Sequence, residues 1–339
     1  MSIAYLIGFS DSKVGYDRTK TLLEFDGQCI HSTKNGQRFG VGVFEFVRLS
    51  ELRSRVAELR SSACARDETF PNRVYHNQPV GENVQGYMKD SAYNLGLFQV
   101  ASQFNLLEMA DPSYTPEDGV DVYWFDRTQG PACATATLGA TLFRNYFVEH
   151  DGRVGQSKEH QLNGLRELLT ALDFEQDVHY LYENGYIRLG KDQLRSCASK
   201  ISAMNSEQRI ELMGNISVGI HWGCQVNDAK RALDQRVSLV LCSALPLGAY
   251  ARDGVLAEDA EVLGRLVQDG MQEATVLAGV LNQHRFGSSD LILTKLGHGV
   301  FGNPTHWVVD ARNRALDTHP SGLQVLQFHY HHREPAFDY

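Results

Sequence analysis

Apolar positions along the chain recur with two different periods. From about residue 155 onward these periods take turns. "NGYIRL", "ISVGIHWGCQV", "VSLVLCSALPL", "SDLILTKL" and "LQVLQFHY" are short apolar runs bounded by polar or turn residues, and they predict strands. "SKEHQLNGLRELLTALDF" predicts an amphipathic helix capped at Ser157. "KDQLRSCASKISAM" and "AEDAEVLGRLVQDGMQEATVLAGVLNQ" predict two more helices. This alternation predicts an α/β fold with a largely parallel, helix-covered sheet. Upstream, "SELRSRVAELRSS" places Leu52, Val56 and Leu59 at helical spacing behind a Ser50 cap. "IAYLIGF", "KTLLEF" and "FGVGVFEFV" read as strands, so residues 1–48 are expected to be β-rich. "GLFQVASQF" predicts a buried strand running into Asn105, while residues 63–90 are polar and irregular. Residues 108–130 form a long loop with Pro112, Pro116, Gly119 and Gly130. Loops of that length in compact domains are usually functional or disordered.

Composition narrows the classes. The 339 residues are 42% hydrophobic and 22% charged, the balance of a globular protein. A formal net charge of −9 with no basic tract argues against nucleic acid as a partner. No run of about 18 apolar residues predicts a membrane span. The N-terminus has too short an apolar stretch for a signal peptide, so a cytoplasmic location is expected. Cys29, Cys64, Cys133, Cys197, Cys224 and Cys242 are scattered without a CxxC pair and read as reduced thiols.

The strongest chemical signal is "DLILTKLGHGVFGNPTHW", where a strand ends in a glycine-rich turn. Open α/β sheets receive ligands at the carboxyl ends of their strands. Glycines there admit positive φ and close approach, so that successive N–H groups can face an anion. Lys295 precedes the glycines and no GK[ST] follows, so this is not a Walker A loop.

"GHGVFGNP" resembles the second phosphate-cradling loop of macrodomains, the ADP-ribose-binding α/β/α modules. The resemblance implies that Gly297, Gly299, Val300 and Gly302 line a diphosphate, which the His298 side chain in the same loop could then touch. It places Phe301 against the distal ribose, and Asn303 closing the pocket. "QVASQFNLLEM" is similar to the macrodomain strand ending in an asparagine on the distal ribose, here Asn105. "TQGPACATATLGATLFRNYF" and "VSLVLCSALPL" are similar to a divergent subgroup, the MavL-type hydrolases that remove ADP-ribose from arginine. The family's glycine run in the first loop is reduced here to "EDGVD". The implied fold is a three-layer α/β/α macrodomain-like mixed sheet over residues 76–339, with residues 1–75 as an N-terminal extension packed on it. The implied activity is an ADP-ribosylhydrolase, without metal or cofactor, acting on ADP-ribosylated protein. The alternative is a module that reads ADP-ribose without cleaving it.

Cleaving a glycosidic bond needs carboxylates that stabilise an oxocarbenium-like state and take a proton from water. The first loop holds Glu108, Asp111, Glu117, Asp118, Asp121 and Asp126. Asp126 ranks first, because it precedes "RTQGPA", where Pro131 suits the first turn of a helix whose N-terminus favours an anion. Asp118 ranks next, then Asp121 and Glu108. Thr128, Gln129 and Gly130 offer donors to phosphate or ribose, or else form a helix cap. His329 and His331 have strand spacing and read either as metal ligands or as a polar strand end. His221 reads as a core histidine, and Glu273 as a semi-buried partner of an arginine.

Overall fold

The computed structural model describes residues 2–62, 70–78, 81, 83–126, 128–227, 234–251 and 254–338. Its centre is a seven-stranded mixed sheet. The strands are β1 (Val43–Arg48), β2 (Arg73–His76), β3 (Leu97–Ala101), β4 (Ser217–Gln225), β5 (Arg236–Cys242), β6 (Asp290–Leu293) and β7 (Gln324–Gln327), in the order β1-β4-β5-β3-β6-β7-β2. Five neighbours from β5 to β2 run parallel, with Ser238 opposite Leu97, Leu291 opposite Leu97, and Gln324 opposite Asp290 and Arg73. β4 pairs antiparallel with both β5 and β1.

Period-two alternation gives the sheet two apolar faces. Leu97, Val240, Leu291 and Val325 join one core, and Phe98, Val100, Leu239, Ile292 and Leu326 join the other. The first face is covered by α5 (Ala257–Phe286), which is buried along most of its length. Around α5 pack α1 (Leu49–Ser62), α4 (Lys191–Ala203) and α6 (Thr305–Thr318). The second face is covered by α2 (Gln129–Ala136) and α3 (Leu138–Leu142). The protein is therefore an α/β/α three-layer structure. A third core joins residues near the N-terminus, such as Ile7 and Ile30, to Leu107, Val120, Leu138 and Tyr146. No helix of the described residues is long and apolar enough to cross a membrane.

Several expectations about local structure change. "IAYLIGF" is not a strand but a helix, Ile3–Ile7, begun by the Ser2 side chain accepting from the Tyr5 amide and ended by Gly8 in the left-handed region. Ile3 and Ile7, one turn apart, supply its buried face, so period four overrode the apolar run. "KTLLEF" is split between the helix Tyr16–Leu22 and the strand Leu23–Phe25. The helix expected from Ser157 is confined to Arg166–Ala171. The polar side chains before it serve tertiary contacts instead. Gln161 Nε2 donates to Asn184, and the Gly164 amide donates to the Phe104 carbonyl at 2.9 Å. The expected boundary at residue 75 falls inside β2, and β1 also belongs to the central sheet.

Glu273 lies on α5 and accepts two hydrogen bonds from Arg53 of α1, at 2.8 and 2.7 Å, with His319 Nε2 3.2 Å away. Burial pushes its carboxyl up, but Arg53 and His319 outweigh burial and hold it down at about 2, against 4.5 ordinarily. A carboxyl with a depressed folded pKa stabilises above its unfolded pKa and loses that contribution as pH falls through the folded value. Glu273→Gln is therefore expected to lower stability by roughly 2 kcal/mol at pH 7. The gap to the parent protein should close between pH 4.5 and about 2, as read by urea denaturation.

Candidate active site

A cavity of about 340 Å³ opens where β3, β6 and β7 end and β5 passes into the Ala244 loop. Its walls combine the end of β3 (Ala101–Gln103), the segment Glu108–Ala110, residues Asp126 and Thr128–Pro131, and the loop Thr294–Phe301. The chain termini of parallel strands thus converge on one concavity, the place where open α/β sheets bind ligands.

Gly297 begins the glycine loop at φ +77°, and a Cβ there would lie 2.5 Å from the Ala244 Cβ, so only glycine fits. The amides of His298, Gly302 and Asn303 donate to Lys295, Gly299 and Gly297 carbonyls within the turn. The amides of Gly297, Gly299, Val300 and Phe301 make no hydrogen bond within the chain among the described residues. These four residues all line the cavity, so the loop keeps a row of donors for a ligand. Val300 is exposed at the lip. Phe301 stands in an aromatic cluster, its ring centroid 5.6 Å from Tyr186 and 5.8 Å from Tyr250. Gly302 and Asn303 were expected in the ligand contact set and lie outside the lining. Asn303 is buried behind the loop, where Nδ2 donates to Leu245 at 2.8 Å and Oδ1 accepts from Gln268. It fastens the turn rather than closing the pocket.

Thr128 also lines the cavity and stands at the N-terminal boundary of α2 without a side-chain cap bond, and the first turn of α2 contains Gly130 and Pro131. A Cβ on Gly130 would come within 2.2 Å of the Ala101 carbonyl, so glycine lets the helix start abut the end of β3. Gln129 is also committed locally, its Oε1 accepting from the Val84 amide at 3.0 Å. Asp126 lines the cavity, half-buried, and its Oδ1 accepts from the Thr128 amide at 2.7 Å. Arg127 lies outside the described residues.

The other acids separate. Glu108 lines the cavity wall but is buried, and both its oxygens accept from Arg144 Nη2, at 3.0 and 3.2 Å. Burial pushes it up to about 7 despite the guanidinium. Asp118 is absent from the lining. Its carboxylate accepts from the Thr115 amide and hydroxyl, at 2.8 and 2.9 Å, in a capping box. Asp121 is also absent from the lining and accepts from the Ser10 hydroxyl at 2.5 Å. The segment Asp121–Phe125 is a 3₁₀ helix, so strand alternation does not orient Asp121. Buried Asp11 holds this segment, accepting from the Val120 and Asp121 amides and from the Tyr146 hydroxyl.

Asn105, expected on a ribose, is fully buried and also outside the lining. Its Nδ2 donates to Gln161 at 2.8 Å and its Oδ1 accepts from the Leu107 amide, so it braces the turn after β3. Sequence reading missed Gln103, Tyr186, Tyr250 and Glu334. Gln103 clamps Met109, accepting from its amide and donating to its carbonyl. Tyr186 sits in "NGYIRL", read only as a strand, and nothing in that run marks it as a pocket wall.

His329 is buried, its Nε2 2.9 Å from His76 Nδ1, and burial with the nearby Lys295 and His76 pushes it down to about 4. No group of three His, Cys, Asp or Glu suited to a metal ion occurs among the described residues. His221 is buried in the core with Nδ1 at 3.0 Å from the Val41 carbonyl. Cys29, Cys133, Cys197, Cys224 and Cys242 are free thiols, and Cys64 lies outside the described residues. Burial pushes Cys242 up to about 12 and Cys133 higher still, which removes both as thiolate nucleophiles.

No protein-family model matches the chain, and no curated protein does. Two solved structures are similar to it. One is poly(ADP-ribose) glycohydrolase from Thermomonospora curvata, 14% identical, covering 98% of this chain and 97% of that one, with a TM-score of 0.45. The other is poly(ADP-ribose) glycohydrolase from Deinococcus radiodurans in complex with ADP-ribose, 12% identical, covering 87% and 92%, with a TM-score of 0.43. The likeness is one of outline, and no residue role passes across it.

Proposed function

We propose that this protein binds ADP-ribose in the cavity and hydrolyses the glycosidic bond that joins its distal ribose to a protein side chain, arginine by preference. One observation carries the reading. Four residues of a glycine turn with uncommitted amides line a cavity at strand ends, and a residue with a carboxylate, Asp126, lines the same cavity. The amides suit a pyrophosphate. Phe301, Tyr186 and Tyr250 offer apolar surface for a sugar and exclude water from its face. In the reaction, water attacks the anomeric carbon as the bond to the guanidine nitrogen breaks. The Asp126 carboxylate offsets the positive charge developing on the ring and takes the water proton. That proton then passes to the departing guanidine, so that arginine leaves as its guanidinium and the carboxylate is restored. The arginine preference rests on the sequence resemblance.

The test is calorimetric titration with ADP-ribose, followed by release assays on arginine-modified protein and on poly(ADP-ribose). Binding with release is expected. Release from the polymer alone would move the linkage, binding without release would make the chain a reader, and no binding would end the proposal. The loop geometry gives a further expectation. Gly297→Ala should weaken ADP-ribose binding about thirtyfold, because it strains the loop by ~1–3 kcal/mol. A thermal melt of the same variant checks that the rest of the fold persists.

A further inference from the structure

Lys295 stands immediately before the glycine loop and lines the cavity, the one lysine or arginine among the described lining residues. Its Nζ is paired with Glu334, and Glu334 Oε2 also lies 3.3 Å from His298 Nε2. One carboxylate thus holds the two basic side chains flanking the phosphate-type loop. Glu334 arrives from the C-terminal segment, and that segment is anchored. Phe337 is fully buried, its carbonyl accepts from Arg312 Nη1 at 3.0 Å, and Lys295 Nζ lies 5.3 Å from its ring centre. Arg333 Nε donates to Asp338 at 2.8 Å, and Asn77 clasps the His329 backbone through both its amide atoms. The carboxylate is placed by packing.

We propose that Glu334 is a specificity-determining residue, an internal anion that competes with ligand phosphate for Lys295 and His298. The inference rests on the reading that the glycine loop takes phosphate. A charge held by a fixed carboxylate is surrendered only to a group that offers more. A pyrophosphate carries one phosphate for the loop amides and a second for Lys295. A lone phosphate satisfies the amides and leaves the Lys295–Glu334 pair intact. The cost of displacing Glu334 from Lys295 therefore falls on diphosphate ligands and not on monophosphates, so Glu334 lowers affinity for the former and narrows the preference between the two.

The experiment measures dissociation constants of inorganic phosphate, inorganic pyrophosphate and ADP-ribose for the parent protein, Glu334→Gln, Lys295→Met and the double variant. Glu334→Gln is expected to tighten pyrophosphate and ADP-ribose about tenfold and to leave phosphate within about twofold, which widens the preference for the diphosphate. The gain should vanish in the Lys295→Met background, because the two residues act as a unit. Equal or weaker pyrophosphate binding by Glu334→Gln, or phosphate tightened as much as pyrophosphate, with an unchanged thermal midpoint, overturns the inference. Should that variant unfold, Glu334→Ala with the C-terminal anchor Phe337 intact is measured instead, and the same criteria apply. The two readings separate. Pyrophosphate tightening without ADP-ribose binding keeps this inference and ends the ADP-ribose reading. ADP-ribose bound equally by parent and variant keeps that reading and ends this one.

Discussion

Asp126→Asn is expected to slow release of ADP-ribose by about 10³-fold while its affinity for ADP-ribose changes by no more than a few-fold. The substitution is chosen for its geometry. Asp126 Oδ1 accepts from the Thr128 amide at 2.7 Å, and an asparagine oxygen keeps that bond. The cap of α2 and the wall it builds are preserved. What is lost is the negative charge and the ability to take a proton. Both matter only once the anomeric carbon becomes positive, so the loss belongs to the transition state and not to ground-state binding. Single-turnover kinetics on a modified protein, beside a calorimetric titration, separate the two. A normal rate would remove Asp126 from the chemistry. A parallel collapse of rate and affinity would make it a structural brace instead.

The sheet and its long helix were legible because burial there follows simple periods. β3, β5, β6 and β7 are apolar runs between two covered faces, and α5 repeats its apolar positions over 30 residues. The glycine loop was legible for a different reason, since Gly297 occupies a backbone conformation and a space closed to other residues. Where side chains replace the backbone ladder, pattern fails. In the turn after β3, Asn105 accepts from the Leu107 amide, so the residue that read as a ribose contact is an internal brace. The 14-residue helix α6 was missed because buried Arg312 interrupts its apolar stripe. Glu334 lies 39 residues beyond Lys295, and no local signal joins them. Of the acids in the first loop, spacing could not tell which face the cavity. Asp118 is spent on its own turn and Asp121 on Ser10, 111 residues away, by hydrogen bonds that only the folded chain defines.

Arg144→Met is expected to cost about 3–5 kcal/mol at pH 8 and distinctly less at pH 5, and the reason lies beneath the same cavity. Arg144 is wholly buried, its Nε donating to the Leu106 carbonyl at 2.7 Å and its Nη2 to both oxygens of Glu108. Replacing it with methionine fills most of the volume and leaves a buried carboxylate without its cation. Burial has already pushed Glu108 up from 4.5 to about 7 against the pull of Arg144. A carboxyl whose folded pKa exceeds its unfolded value binds a proton more tightly when folded. The contribution of Glu108 to stability is therefore most favourable below pH 4.5 and is lost as pH rises to about 7. Without the guanidinium that rise extends further, so the penalty grows with alkalinity and is relieved where Glu108 is protonated. Adding Glu108→Gln should recover much of the loss at pH 8, because no charge then remains to be buried. Urea denaturation at both pH values reads the effect. A penalty independent of pH, and unrelieved in the double variant, would mean that Arg144 contributes packing and not charge. Glu108 also lies directly under Gly130, its Cγ 3.3 Å from where a Cβ would sit. A displaced carboxylate would therefore shift the start of α2 against β3, and ADP-ribose affinity should fall together with stability at pH 8.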